Sequence, residues 1–108
     1  MAKPTKLERD FQSKLIQELR KMFEGCIITK LDPKHIQGIP DLLILYKDKW
    51  ATLEVKKHAR AKRQPNQEYY VNLMNLMSFS RFIYPENKEE VLNDLQKAFK
   101  SWGYTFLS

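Results

Sequence analysis

The chain is short of the residues that would commit it to several protein classes. Its single cysteine, Cys26, cannot form an internal disulfide, which suits a reducing compartment. With only three glycines and five prolines in 108 residues, it is neither collagen-like nor low-complexity. No apolar run approaches the roughly 18–20 residues that a membrane-spanning helix needs, so no membrane partner is expected. The opening Met1-Ala2-Lys3-Pro4-Thr5-Lys6 lacks the apolar core of a secretion signal, and a cytoplasmic location is the expectation. The two histidines, His35 and His58, have no paired ligand spacing, which argues against zinc. Acids are the minority charge. Thirteen Asp and Glu stand against 19 Lys and Arg, giving a net charge of +6 and a pI near 9.5. That surplus favours a polyanionic partner.

What is present reads as one domain spanning residues 1–108. Leu7, Phe11, Leu15, Leu19, Met22 and Phe23 fall at helical spacing, predicting a helix over residues 6–24 that Thr5 caps and Gly25 stops. Residues 26–31 are rich in branched side chains and predict a strand ended by Asp32-Pro33. Residues 41–46 and 50–56 are so close that they predict an antiparallel hairpin. Pro65 suits the first turn of a second helix, with Tyr70, Leu73, Met74 and Met77 on one face. Residues 81–84 predict a short strand. Asn87 and Glu90 are spaced as a capping box for a last helix with Val91, Leu95, Ala98 and Trp102 on its inner face. Residues 104–107 read as an edge strand or an apolar tail against a partner. The expected fold is α/β: helix, three strands, helix, strand, with a mixed sheet flanked by helices and an extra C-terminal helix.

The chemistry concentrates where two acids and a lysine stand at the ends of two apolar strands, in Gly38-Ile39-Pro40-Asp41-Leu42-Leu43 and Leu53-Glu54-Val55-Lys56. Buried strands rarely carry charges without a reason. Glu54 and Lys56 share a face, since side chains alternate along a strand. A tight turn at Lys47-Asp48 pairs Tyr46 with Lys49 and therefore Asp41 with Glu54, bringing two carboxylates to roughly 5 Å between Cβ atoms. A three-residue turn would place Asp41 beside Val55 instead. Two like charges this close call for a cation, and magnesium held by carboxylates can polarise a phosphate and acidify a bound water. Lys56 would steady charge developing on phosphorus-bound oxygens. The bland alternative is a strand-capping Asp41 with a surface Glu54–Lys56 ion pair.

Pro40-Asp41, twelve intervening residues and Glu54-Val55-Lys56 resemble the PD-(D/E)xK nuclease signature. Gly38-Ile39-Pro40-Asp41-Leu42-Leu43 with the later Gln67 most resembles the small VRR-NUC nucleases, with Holliday-junction resolvases as near neighbours. The resemblance covers residues 6–84 and implies a restriction-endonuclease-like αβββαβ core. It implies that Asp41, Glu54 and the Val55 carbonyl bind Mg2+, for which Mn2+ may substitute, and that Lys56 is catalytic. It places the first-helix acid of the family on Glu8, with Glu18 as a second candidate, although Thr5 and Glu8 also have capping-box spacing. Gln67 matches a glutamine that approaches the metal or the scissile phosphate, with Gln64 as alternative. No small-molecule cofactor is implied.

Lys57, Arg60, Lys62 and Arg63 follow the catalytic strand where duplex phosphates would pass, and Lys34 extends that surface. No compact base-reading module is evident, so shape is the expected basis of recognition. The expectation is therefore a metal-dependent endodeoxyribonuclease acting on branched or duplex DNA as a homodimer, which would serve both strands of a junction. Its small size would suit a phage-encoded protein acting in the host cytoplasm. The alternatives are a non-catalytic nucleic-acid-binding protein of the same fold and a general duplex-nicking nuclease.

Overall fold

The computed structural model describes residues 4–100. Their order is α1 (Lys6–Met22), β1 (Ile27–Lys30), β2 (Leu42–Tyr46), β3 (Lys49–Val55), α2 (Gln67–Met77), β4 (Phe79–Ile83) and α3 (Lys88–Phe99). The four strands form one sheet in sequence order. β1, β2 and β3 are successively antiparallel, and β4 lies parallel to β3. A parallel neighbour requires a crossover, which α2 provides. This is the expected α/β core with its additional C-terminal helix.

Hydrophobic alternation decides the layers. Leu42, Ile44 and Tyr46 of β2 and Ala51, Leu53 and Val55 of β3 point to one face. There they join Leu15, Leu19 and Phe23 of α1 and Val91, Leu92, Leu95 and Phe99 of α3 in one core. A Glu18–Lys88 ion pair at 2.9 Å ties the two helices together. On the other face α2 lies chiefly over β3 and β4. There Thr52 donates to Ser80 Oγ at 2.8 Å and approaches Met74 Sδ. β3 is therefore covered on both sides, which is why Thr52, Glu54 and Lys56 are buried along with their apolar neighbours. Among the described residues no helix is long and apolar enough to cross a membrane.

Several local expectations need correction. α1 stops at Met22, β1 is shorter than residues 26–31, and Leu7 remains exposed. β4 starts at Phe79, because its first two residues already pair with Ala51 and Thr52. Pro65 precedes the second helix, whose N-cap is Asn66. Val71 is the buried residue of that helix, Tyr70, Leu73 and Met74 of the expected face are half-buried, and only Met77 of that face is exposed. Asn87 makes no capping bond from its side chain. It bonds β4 instead, donating to Phe82 O and accepting from Tyr84 N. Trp102 and the expected strand or tail at residues 104–107 lie outside the described residues.

Candidate active site

The hairpin takes the tight turn. Tyr46 pairs with Lys49 and Leu42 with Leu53, so the next step of the register sets Asp41 against Glu54. Lys47 allows the turn by adopting φ 56°. Asp41 Oδ2 accepts from Val55 N at 2.8 Å, fixing the first carboxylate across the ladder. Glu54 is 3% exposed and Lys56 8%.

Gln67, the first residue of α2, joins the two. Its Nε2 donates to Glu54 Oε2 at 2.8 Å, and its Oε1 accepts from Lys56 Nζ at 2.8 Å and from Gln64 N at 2.7 Å. Lys56 Nζ also donates to the Lys62 carbonyl at 3.0 Å and lies 3.8 Å from Glu54 Oε2. The lysine is thus held in place rather than waving in solvent. Gln67 positions an acid and the lysine together, a more definite role than approach to a metal.

No hydrogen bond reaches Glu54 Oε1, the one such buried side-chain N or O among the described residues. Burial, and then the facing Asp41, push the Glu54 carboxyl up to about 9. Asp41 is also raised by burial, against the lowering effect of its bond from Val55 N. A buried Glu54 facing a half-buried Asp41 therefore retains a proton near neutral pH unless a cation replaces it. Glu8, half-buried in the first turn of α1, is raised by burial and by Asp41 while Lys56 and Lys57 oppose the shift. Thr5 Oγ1 caps α1 by accepting from Glu8 N at 3.1 Å, and this orients the first turn toward the cleft.

These groups line a cleft of about 790 Å³. Asp41, Glu54, Lys56, Glu8 and Gln67 all contribute to it, together with Lys34, Lys57 and Lys62. Gln64 lines it too. Arg60 and Arg63 do not: the Arg63 guanidinium stacks 3.8 Å from the centre of the Phe82 ring and pairs with Glu68 at 2.9 Å. Glu18 is likewise spent on Lys88 in the opposite layer. Among the described residues no three His, Cys, Asp or Glu side chains converge as a metal-holding group. Glu8 borders the Asp41–Glu54 pair without completing such a trio. The pair itself suits a hard divalent cation, because the two facing carboxyls repel and one oxygen of the buried Glu54 lacks a donor.

One contact was not foreseen. Gly38, at φ +91°, approaches Asn66 so closely that a Cβ on it would lie 2.6 Å from Asn66 Cβ. Asn66 is itself left-handed at φ 70°. The segment leading to Asp41 is thereby seated on the residue that starts the Gln67 helix. The only sequence signal was a glycine just before Ile39-Pro40-Asp41. No family model, curated protein or solved structure matches the chain.

Proposed function

We propose that the chain is a metal-dependent endonuclease that hydrolyses phosphodiester bonds in DNA. One observation carries the reading: a buried Glu54 facing a half-buried Asp41, with an immobilised lysine beside them, in a lysine-bordered cleft. A protein that merely gripped phosphate would gain nothing from two acids facing that anion. Asp41 and Glu54, with the Val55 carbonyl, would hold magnesium, or manganese in its place, with Glu8 at the border of the pair adding negative charge. Such a cation, when bound, supplies the charge that polarises a phosphate and acidifies water.

The remaining work falls to the chain's own groups. Lys56 donates to the oxygens on which negative charge develops, and Gln67 keeps it aligned with Glu54. Lys34, Lys57 and Lys62 neutralise phosphates on either side of the scissile bond. No aromatic side chain lines the cleft among the described residues. Phosphate contacts carry no base information, and branched DNA, distinguished by shape, is the substrate class put forward. A junction offers two scissile strands, and a two-fold pair of chains would meet both.

The test is cleavage of labelled four-way junction, flap, duplex and single-stranded DNA with magnesium or manganese, wild type beside Lys56→Ala. Paired junction cuts that vanish in the variant are expected. Duplex cutting without junction preference would retain the nuclease and discard the branched substrate. Binding without any metal-dependent cutting would make the chain a non-catalytic binder. Sedimentation of the free protein checks the two-fold pairing.

A further inference from the structure

The apolar stripe of α1 runs past the core that it serves. Leu19 and Leu15 are buried and Phe11 is half-buried, but Leu7, one further turn toward the N-terminus, is 62% exposed. That outlying turn is the one that reaches the active site: Thr5 and Glu8, on either side of Leu7, line the cleft. Arg9 Nη1 donates to the Pro4 carbonyl at 3.2 Å and braces the turn from outside.

A second aliphatic side chain stands at the same cleft, on the loop between β1 and β2. Ile36 is 39% exposed, and Lys34 and Gln37 on either side of it line the cleft. The loop presents Ile36 on a braced turn. The Asp32 carboxylate accepts from Lys34 N at 2.9 Å, its carbonyl accepts from His35 N at 3.0 Å, and Pro33 fixes the backbone at the first corner. Ile36 O then accepts from Ile39 N at 3.2 Å. Neither Leu7 nor Ile36 lines the cleft itself, and both border its mouth.

Cations accompany both side chains. Arg9 and Lys34 are exposed beside them, and Lys57 and Lys62 line the cleft. A polyanion with flat apolar faces matches this mixture of aliphatic and basic groups, and DNA at a branch is such a polyanion. Within a continuous duplex each base pair covers the next, and parting them is costly. At a branch point the stack is already interrupted, so aliphatic side chains enter there at least cost. Side chains held on a helix and a braced turn lose little freedom in doing so.

We infer that Leu7 and Ile36 form an apolar wedge that covers the base pair exposed at a branch point of DNA and so sets the branch beside the Asp41–Glu54 pair. Phosphate contacts from Lys34, Lys57 and Lys62 are alike on any DNA, and the wedge is what tells a branch from a duplex. The inference rests on the branched-DNA reading above and adds to it the residues that recognise the branch.

The test is binding of the full chain, without divalent cations, to a four-way junction and to linear duplex of matching sequence. Each carries 2-aminopurine, a base that brightens when unstacked, at the branch or the corresponding site. Wild type should bind the junction more tightly than the duplex and brighten the probe in the junction alone, a reading that needs no variant. Leu7→Ser/Ile36→Ser should lose the brightening and at least ~10-fold in junction affinity, while its duplex affinity stays within ~2-fold. Leu7→Met/Ile36→Met should retain both. Equal binding of the two DNAs by wild type, no brightening, an unchanged serine variant, or equal losses on both DNAs would overturn the wedge. Cleavage of the same DNAs with magnesium separates this inference from the reading beneath it. A junction bound and unstacked but left uncut would discard the nuclease and keep the wedge, whereas junction and duplex cut at equal rates would keep the nuclease and discard the wedge.

Discussion

Glu54 sits under two opposed demands: its strand position buries it, and its neighbour Asp41 repels its charge. Its carboxyl rises from the usual 4.5 to about 9, so between those values the folded chain keeps a proton that the unfolded chain has released. Stability must therefore fall as pH rises through that window. Calorimetry of cation-free protein should show this decline, and Glu54→Gln should flatten it while stabilising the protein by on the order of 1–3 kcal/mol at pH 8. Magnesium should restore wild type at high pH and leave the variant unaffected. A variant with the wild-type pH profile would remove Glu54 as the source. Gln67 makes a different kind of contribution. Gln67→Ala leaves Glu54 Oε2 and Lys56 Nζ each short of a partner, which should cost about 1–3 kcal/mol in urea unfolding and reduce cleavage as well. The identities of Asp41, Glu54 and Lys56 were legible because charges interrupt apolar strands. The bridging role of Gln67 was not, because it depends on where a helix that opens 13 residues beyond Glu54 begins in space.

Elements carry these residues into place through their ends rather than their middles. Asp41 precedes β2, Glu54 nearly ends β3, Gln67 opens α2 and Glu8 lies in the first turn of α1. The seating of Gly38 on Asn66 links two of these ends. Gly38→Ala must displace Asn66 and strain a left-handed backbone, with an expected loss of about 1–3 kcal/mol and weaker divalent-cation binding by titration calorimetry. Gly25→Ala is the control. It has a similar φ of +85° but nothing within 4 Å of the added Cβ, so it should cost about 1 kcal/mol or less and leave cation affinity alone. Equal cation affinity in both variants would separate the Gly38 contact from the site. At this scale the capping Thr5 and the hairpin were readable from local patterns, whereas Asn87 was misread. Its capping-box spacing was present, but the adjacent edge of β4 offered its side chain better partners.

For the whole molecule, the +6 charge matters by its distribution. Lys34 and Lys57 border the cleft, while Arg60 lies outside it and Arg63 is engaged by Phe82 and Glu68. Lys34→Ala with Lys57→Ala should therefore lower the slope of log K against log salt for DNA binding by about 2, whereas Arg60→Ala should change it little. A larger effect from Arg60 would relocate the phosphate path. By itself, the sequence determined the α/β layering and a hairpin whose two candidate registers set Asp41 against Glu54 or Val55, and the structure takes the first. The layering and the hairpin follow from short-range rules of alternation, helical period and turn length, which act within a few residues of chain. Only the tertiary structure decided that Gln67 bridges acid and lysine, that Glu8 rather than Glu18 borders the cleft, and that Arg63 turns away from it. Those outcomes depend on how separate helices pack over a twisted sheet, where small differences in burial and pairing among distant residues choose each side chain's partner.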